Sequence, residues 1–142
     1  MFLHIDPAGD LPIYEQIVRQ VKFAIAAGAL APDDMVASVR ELAREVAVNP
    51  NTVIRAYRQL QDEAILLARR GTGLVVAPGA PELCRAQRLA MIRARLAAVL
   101  AEARQSGLHN GQVEQLVRDE LAATLADAHN TNNTIQSEEI SS

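Results

Sequence analysis

Residues 38–58 read SVRELAREVAVNPNTVIRAYR and decide the fold of this chain. Ser38 followed by Glu41 is a capping-box pattern, in which each side chain binds a backbone N–H at the start of a helix. Apolar residues then recur at helical spacing, at Val39, Leu42, Ala43 and Val46. The pattern predicts a short helix that runs from Ser38 to about Val46.

A second helix start follows at Asn49 and Pro50, because asparagine caps helices well and proline suits the first helical position. The periodic apolar residues after it predict a helix to about Glu63. The connection between the two helices is residues 47–49, which forces a sharp crossing. The sequence therefore predicts a helix-turn-helix.

Outward from this motif, an earlier helix is predicted to begin at Pro12 and to end near Gly28. Its apolar stripe is Ile13, Ile17, Val21, Ala24 and Ile25, and Pro32-Asp33-Asp34 is predicted to be a loop. The aromatic content of 3% and the many Ala and Leu residues favour helices over strands.

After the helix-turn-helix, two apolar runs at residues 65–68 and 74–77 flank Arg69-Arg70-Gly71-Thr72-Gly73. Glycine permits the positive φ that hairpin turns need, so this segment predicts a two-stranded wing with a basic tip. The predicted fold class is mainly α with a small β-hairpin wing: a winged helix-turn-helix over residues 1–77, followed by two α-helices.

Residues 78–81 are predicted to be a linker, residues 82–128 a two-helix dimerisation region, and residues 129–142 a disordered tail. Two amphipathic helices of this size cannot form a core of their own, so they must pack on a second copy or fold back as an intramolecular cap. We expect a homodimer, with an interface formed by Leu89, Ile92, Leu96, Val99, Leu100, Val113, Leu116, Val117 and Leu121.

The helix after Asn49 carries polar side chains on one side and apolar ones on the other. Asn51, Thr52, Arg55 and Arg58, which we call the reading face, lie opposite the apolar residues. Asn pairs with adenine, Arg with guanine, and Thr contacts bases or the thymine methyl group. The full candidate DNA-contacting set is Ser38, Arg40, Asn51, Thr52, Arg55, Arg58, Arg69, Arg70, Gly71 and Gly73, with Arg40 on a phosphate and the wing tip beside the minor groove.

Charge and composition set limits on these expectations. The net charge is −3, and residues 1–77 hold eight basic and nine acidic residues, so overall charge does not favour DNA. No apolar run reaches the roughly 20 residues that span a bilayer, and no secretory signal is recognised. A single cysteine, Cys84, fits a reducing compartment, and the sequence predicts a cytoplasmic protein.

Two other functional classes remain. A protein-interaction adaptor whose winged helix has lost DNA binding would fit the acidic balance. An enzyme is disfavoured, because His4, His109 and His129 are scattered and no catalytic, metal-ligating or cofactor-binding pattern is present. Cys84 is predicted to be a partly buried apolar residue and not a redox sensor. No small-molecule effector can be named.

Residues 12–77 also resemble the winged-helix domain of the GntR family of bacterial transcription regulators. The matching segments are PIYEQI at 12–17, SVRELA at 38–43, VNPNTV at 48–53, AYRQL at 56–60 and RRGTG at 69–73. The short two-helix remainder resembles the YtrA subfamily. The resemblance implies a homodimeric repressor on an inverted-repeat operator, with DNA contacts from Arg40, Asn51, Thr52, Arg55, Arg58, Arg70 and Gly71.

The chain departs from the family pattern in the loop before Ser38 and after the recognition helix. The loop before Ser38 usually reads Pro-Gly-Asp, a basic residue, Leu, Pro, whereas this chain has Asp33, Met35 and Ala37 at the Gly, basic and Pro positions. Ala64 replaces a glycine that usually follows the recognition helix. If the site needs a left-handed φ, alanine costs about 1 kcal/mol there. We expect these changes to lower non-specific affinity without abolishing binding.

Overall fold

The computed structural model describes residues 3–140, with side chains described for residues 3–130. The chain forms two compact units, residues 1–92 and 93–142. In chain order the elements are α1 (Ile13–Ala26), α2 (Val39–Glu45), α3 (Pro50–Asp62), β1 (Leu66–Arg69), β2 (Gly73–Val76), α4 (Ala80–Gln105) and α5 (Asn110–Ile140). The described residues therefore form the mainly helical fold with one β-hairpin that the sequence predicts.

Both predicted helix starts of the helix-turn-helix are present. The Ser38 hydroxyl accepts a hydrogen bond from the Glu41 N–H at 3.1 Å, and the Asn49 side chain accepts one from the Asn51 N–H at 2.8 Å. Between the helices Ala47 has a φ of 54°, a left-handed value that turns the chain within a few residues. The turn lets α2 and α3 pack against each other and share one core.

The wing is an antiparallel pair in which Leu66 faces Val76 and Arg69 faces Gly73. The strands differ by one residue from the predicted runs. The segment before α2, predicted as a loop, pairs with β2 through an antiparallel bridge between Met35 and Val75: the Val76 N–H donates to the Asp34 carbonyl at 2.9 Å and the Val36 N–H to the Leu74 carbonyl at 3.0 Å. Strand β2 is thus paired on both edges, which fixes the base of the wing.

The core of the first unit is built mainly from the predicted apolar stripes. Its largest fully buried side chains are Ile17, Val21, Ile25, Leu42, Val53, Leu60, Ile65, Leu66, Val75, Val76 and Cys84. Tyr57 is buried among them and donates a hydrogen bond to the Ala37 carbonyl at 2.7 Å. Burial, together with the negative charges of Glu45 and Glu41, raises the pKa of Tyr57 well above its ordinary value, so the hydroxyl remains a donor.

The C-terminal helices differ from the expected boundaries. Helix α4 begins at Ala80, inside the predicted linker, and Ala80 and Cys84 are buried in the core of the first unit. Helix α5 continues to Ile140, through most of the predicted tail, while residues 141–142 lie outside the described residues. Pro81 is tolerated in the first turn of α4, and the segment after Gly111 contains no glycine or proline to end α5.

An ion pair between the buried Lys22 and the partly exposed Glu63, whose side chain is 32% exposed, joins α1 to the end of α3. The Lys22 ammonium lies 2.9 Å from a Glu63 carboxylate oxygen, and the Lys22 side chain is 9% exposed. Gln59 and Gln87 also donate to the Glu63 carboxylate, at 3.3 and 3.5 Å. Partial burial raises the pKa of Glu63, but these hydrogen bonds and the charge of Lys22 lower it more, so the net pKa lies below its ordinary value.

We predict that Glu63→Gln destabilises the fold near neutral pH, by about 1–3 kcal/mol, because the buried Lys22 loses its anionic partner. The stabilisation by a carboxylate of lowered pKa is complete above its ordinary value of 4.5 and is lost as the pH falls through the lowered value. Urea unfolding of the two proteins should therefore differ at pH 7, and the difference should shrink as the pH is lowered below 4.5.

The exposed neighbouring acid provides the control. Asp62→Asn removes a negative charge at the adjacent position without removing a partner of Lys22. If Asp62→Asn destabilises as much as Glu63→Gln, the effect comes from general charge at the end of α3 and not from the ion pair.

Candidate nucleic-acid interface

Helix α3 separates its two faces as the sequence predicts. Val53, Ala56 and Leu60 are fully buried on one face. On the reading face Asn51, Arg55 and Arg58 are exposed, while Thr52 is half-buried. Because the N-terminal turns carry these polar side chains, α3 can present hydrogen-bond donors and acceptors to the edges of bases.

Arg55 makes a contact that the sequence analysis missed. Its guanidinium carbon lies 3.7 Å from the centre of the Tyr14 ring, a cation–π contact between the reading face and α1. The family-like segment PIYEQI at 12–17 contains this tyrosine, but nothing local in the sequence indicates that it meets Arg55. The contact limits the positions that the Arg55 side chain can adopt.

The start of α2 contributes Ser38 and Arg40. Ser38 is engaged in the cap, since its hydroxyl accepts from the Glu41 N–H and lies 3.0 Å from the Glu41 carboxylate. Arg40 is exposed in the first turn of α2, and within residues 3–130 its guanidinium forms no ion pair or hydrogen bond. A direct DNA contact by either residue stays a prediction.

The tip of the wing has the geometry of a tight turn. The Thr72 N–H donates to the Arg69 carbonyl at 3.0 Å, and Gly71 and Gly73 have φ values of 78° and 121°. Such values favour glycine strongly. The turn leaves Arg70 exposed at the tip, without an ion pair within residues 3–130.

Arg69 lies at the end of β1 and is paired. Its guanidinium binds the Asp33 carboxylate, with the two side chains 45% and 64% exposed. Asp33 itself has a φ of 71°, at the position where the family pattern has glycine. The extra acid was predicted to weaken the attraction of phosphate. The structure shows which cation Asp33 pairs with: it is Arg69, one of the two arginines of the wing.

The structure also bears on the predictions for Cys84, for metal binding and for membrane spans. Cys84 was predicted to be partly buried but is completely buried in the core, and burial raises the pKa of its thiol. Across residues 3–130 no group of histidine, cysteine or acidic side chains is arranged to hold a metal ion. None of the helices described is long and apolar enough to cross a membrane.

The residues predicted for dimerisation lie on α4 and α5, and most of their side chains are exposed. Leu89, Ile92, Leu96, Val99, Leu116, Val117 and Leu121 are 40–62% exposed. Leu100 and Val113 are half-buried and line, together with Val117, an open groove of about 780 Å³ in the second unit. Exposure of so many large apolar side chains is unusual for a protein that stays monomeric.

Ala64 follows α3 in a left-handed backbone conformation, at the position where the family pattern usually has glycine. Its φ is 60°, and the following Ile65 N–H donates back to the Leu60 carbonyl at 2.9 Å, as in helix ends that use a left-handed residue. Alanine is strained there because its Cβ approaches the backbone.

We predict that Ala64→Gly stabilises the protein by about 1 kcal/mol, because glycine adopts this φ without strain. Thermal or urea unfolding measures the gain. Ala27→Gly is the matched control, since Ala27 also follows a helix and is exposed but has a φ of −81°. Equal effects of the two substitutions would contradict the role of backbone strain.

The chain is similar to known proteins both in its winged helix and in the helices that follow. The model of bacterial regulatory proteins of the gntR family matches residues 13–76. The HTH-type transcriptional repressor YtrA of Bacillus subtilis (strain 168) is 33% identical over 117 residues, which are 82% of this chain and 90% of that protein. The similarity thus extends beyond the winged helix into α4 and α5.

Two solved structures resemble the fold. A GntR family transcriptional regulator from Listeria monocytogenes superposes with a TM-score of 0.67 at 28% identity, covering 81% of this chain and 98% of its own. YtrA from Sulfolobus acidocaldarius, a GntR-family transcription factor, gives 0.53 at 36% identity, covering 68% of this chain and 99% of its own. Both are similar to this chain over almost their whole length.

Proposed function

The chain belongs to the GntR family of bacterial regulatory proteins, and we propose that it is a cytoplasmic, homodimeric repressor that binds an inverted-repeat DNA operator. The observation that carries this proposal is the arrangement of α3, whose capped N-terminal turns hold an exposed polar face backed by a buried apolar one. No enzymatic activity and no cofactor are proposed.

DNA recognition is divided between two groups of residues in this proposal. Asn51, Thr52, Arg55 and Arg58 read bases in the major groove, since amide and guanidinium groups match base edges there. Arg40 and Arg70 bind phosphates, supported by their exposure and by their freedom from ion pairs within residues 3–130. Ser38, Arg69, Gly71 and Gly73 complete the proposed interface.

A second copy of this chain is the proposed partner of α4 and α5. The apolar residues Leu96, Val99 and Leu121 are at least half exposed, and leaving them in water is unfavourable. The sequence similarity to YtrA extends beyond the winged helix into these helices. In a symmetric dimer two reading faces would meet major grooves about one helical turn apart, which requires an inverted repeat.

Fluorescence anisotropy with DNA selected from a random pool tests the DNA-binding function and the division of roles. Arg55→Ala should cost about 1–3 kcal/mol on the selected site and relax base preference. Arg40→Ala should weaken binding to all sequences alike and flatten the dependence on salt, because one phosphate contact is lost. If both substitutions reduce specificity equally, this assignment of roles is wrong.

An adaptor without DNA binding is the second candidate, favoured by the net charge of −3 and by the Asp33–Arg69 ion pair in the wing. The salt dependence separates the two functions. A DNA-binding dimer should lose affinity steeply between about 50 and 200 mM salt as counterions are released. A flat response, together with failure of the selection, would favour the adaptor.

The dimer interface is tested on α4. We predict that Leu96→Glu converts the dimer to a monomer in sedimentation equilibrium, because a buried, unpaired carboxylate is unfavourable in an apolar interface. Ala98→Glu is the control, since it places the same charge on the opposite side of the helix. If Leu96→Glu and Ala98→Glu both remain dimeric, this stripe is not the interface.

A further inference from the structure

The contact between Tyr14 and Arg55 connects the reading face to a part of the fold that has no assigned role in recognition. Tyr14 is the second residue of α1, and Arg55 lies in the second turn of α3. The guanidinium carbon is 3.7 Å from the centre of the ring, which is direct contact over the ring face.

The ring of Tyr14 is held in place by its surroundings. The side chain is half-buried and packs against the core, one turn before the buried Ile17 and Val18. Its hydroxyl donates to the Glu15 carboxylate at 3.1 Å. Because the ring packs against the core, it is a fixed surface that does not depend on the hydroxyl bond, whereas an unsupported arginine on a helix samples many rotamers.

Stacking uses the face of the guanidinium and leaves its edge available. The N–H groups of arginine lie in the guanidinium plane, so a ring above that plane does not occupy them. Within residues 3–130 no hydrogen bond or ion pair engages Arg55. The edge that pairs with O6 and N7 of guanine is thus free while the side chain is restrained.

The other arginines near the interface are placed differently. Arg69 is bound to Asp33, and Arg58 and Arg70 are exposed without a stacking partner within residues 3–130. Arg55 alone among these four combines restraint with unoccupied donors. Restraint before binding lowers the entropy that is lost on forming a directional contact.

We propose that Tyr14 is a positioning residue for base recognition, which orients Arg55 so that its guanidinium edge reads a guanine in the major groove. The inference rests on the proposed function, because it requires DNA binding by α3. Tyr14 acts through Arg55 and, by this account, contributes through its ring and not through its hydroxyl.

The test compares Tyr14→Phe, which keeps the ring, with Tyr14→Leu, which removes it, in the full-length protein. Anisotropy measures binding to the selected operator, to operators altered at each guanine, and to unrelated duplex. Tyr14→Leu should weaken operator binding about 2- to 5-fold and reduce discrimination at one guanine in each half-site. Tyr14→Phe should bind and discriminate like the unaltered protein, and neither should change binding to unrelated duplex.

Coupling to Arg55 is tested with a double-mutant cycle. In an Arg55→Ala background Tyr14→Leu should have no further effect on operator affinity, because the group that it positions is absent. Circular dichroism and thermal melting check that each variant is folded. If Tyr14→Leu does not fold, Tyr14→Met replaces it as a ringless side chain of similar length.

Several results would overturn the inference while leaving the proposed function intact. These are an equal loss in Tyr14→Phe, an equal loss on unrelated duplex, additivity with Arg55→Ala, or tighter operator binding by Tyr14→Leu. If the unaltered protein shows no specific binding to any selected DNA, the proposed function fails, and this inference fails with it.

Discussion

The burial of one face of α3 is the constraint on which the rest of the first unit depends. Val53, Ala56 and Leu60 are completely removed from solvent, and Tyr57 joins them with its hydroxyl bound to the Ala37 carbonyl. Once this face is fixed, the helical period places the polar residues outward. The wing and the first helix then pack around the same core, so the candidate interface forms on a rigid support.

The positive potential at the candidate interface depends on the surroundings of each arginine more than on the net charge of −3. The arginines of the candidate interface have different surroundings: Arg55 lies over an aromatic ring, Arg69 is paired with Asp33, and Arg40 and Arg70 are exposed. An arginine that is paired with an acid adds little positive potential, whereas an unpaired one attracts phosphate. A chain that is acidic overall can therefore still present a small cationic surface.

The boundary between the two units falls within α4. Its first turns belong to the core of the winged-helix unit, where Ala80 and Cys84 are buried, and Gln87 donates to Glu63. Farther along, Leu96 and Val99 are exposed. The two parts of this continuous helix thus lie in different environments. Its first turns have small buried residues, and its later turns have large apolar residues that the single chain leaves exposed.

The sequence by itself determined the starts of the two helices of the helix-turn-helix, the tight turn between them and the glycine-containing tip of the wing, because caps and turns depend on neighbouring residues. It also identified the polar face of the helix after Asn49, whereas the left-handed φ of Ala64, raised only as a condition by the family's usual glycine, is seen in the structure. Tertiary structure alone decided which distant groups meet: Tyr14 with Arg55, Asp33 with Arg69, and residues 33–36 with β2. These contacts join residues far apart in the chain, so only the packing of the helices and the wing brings them together.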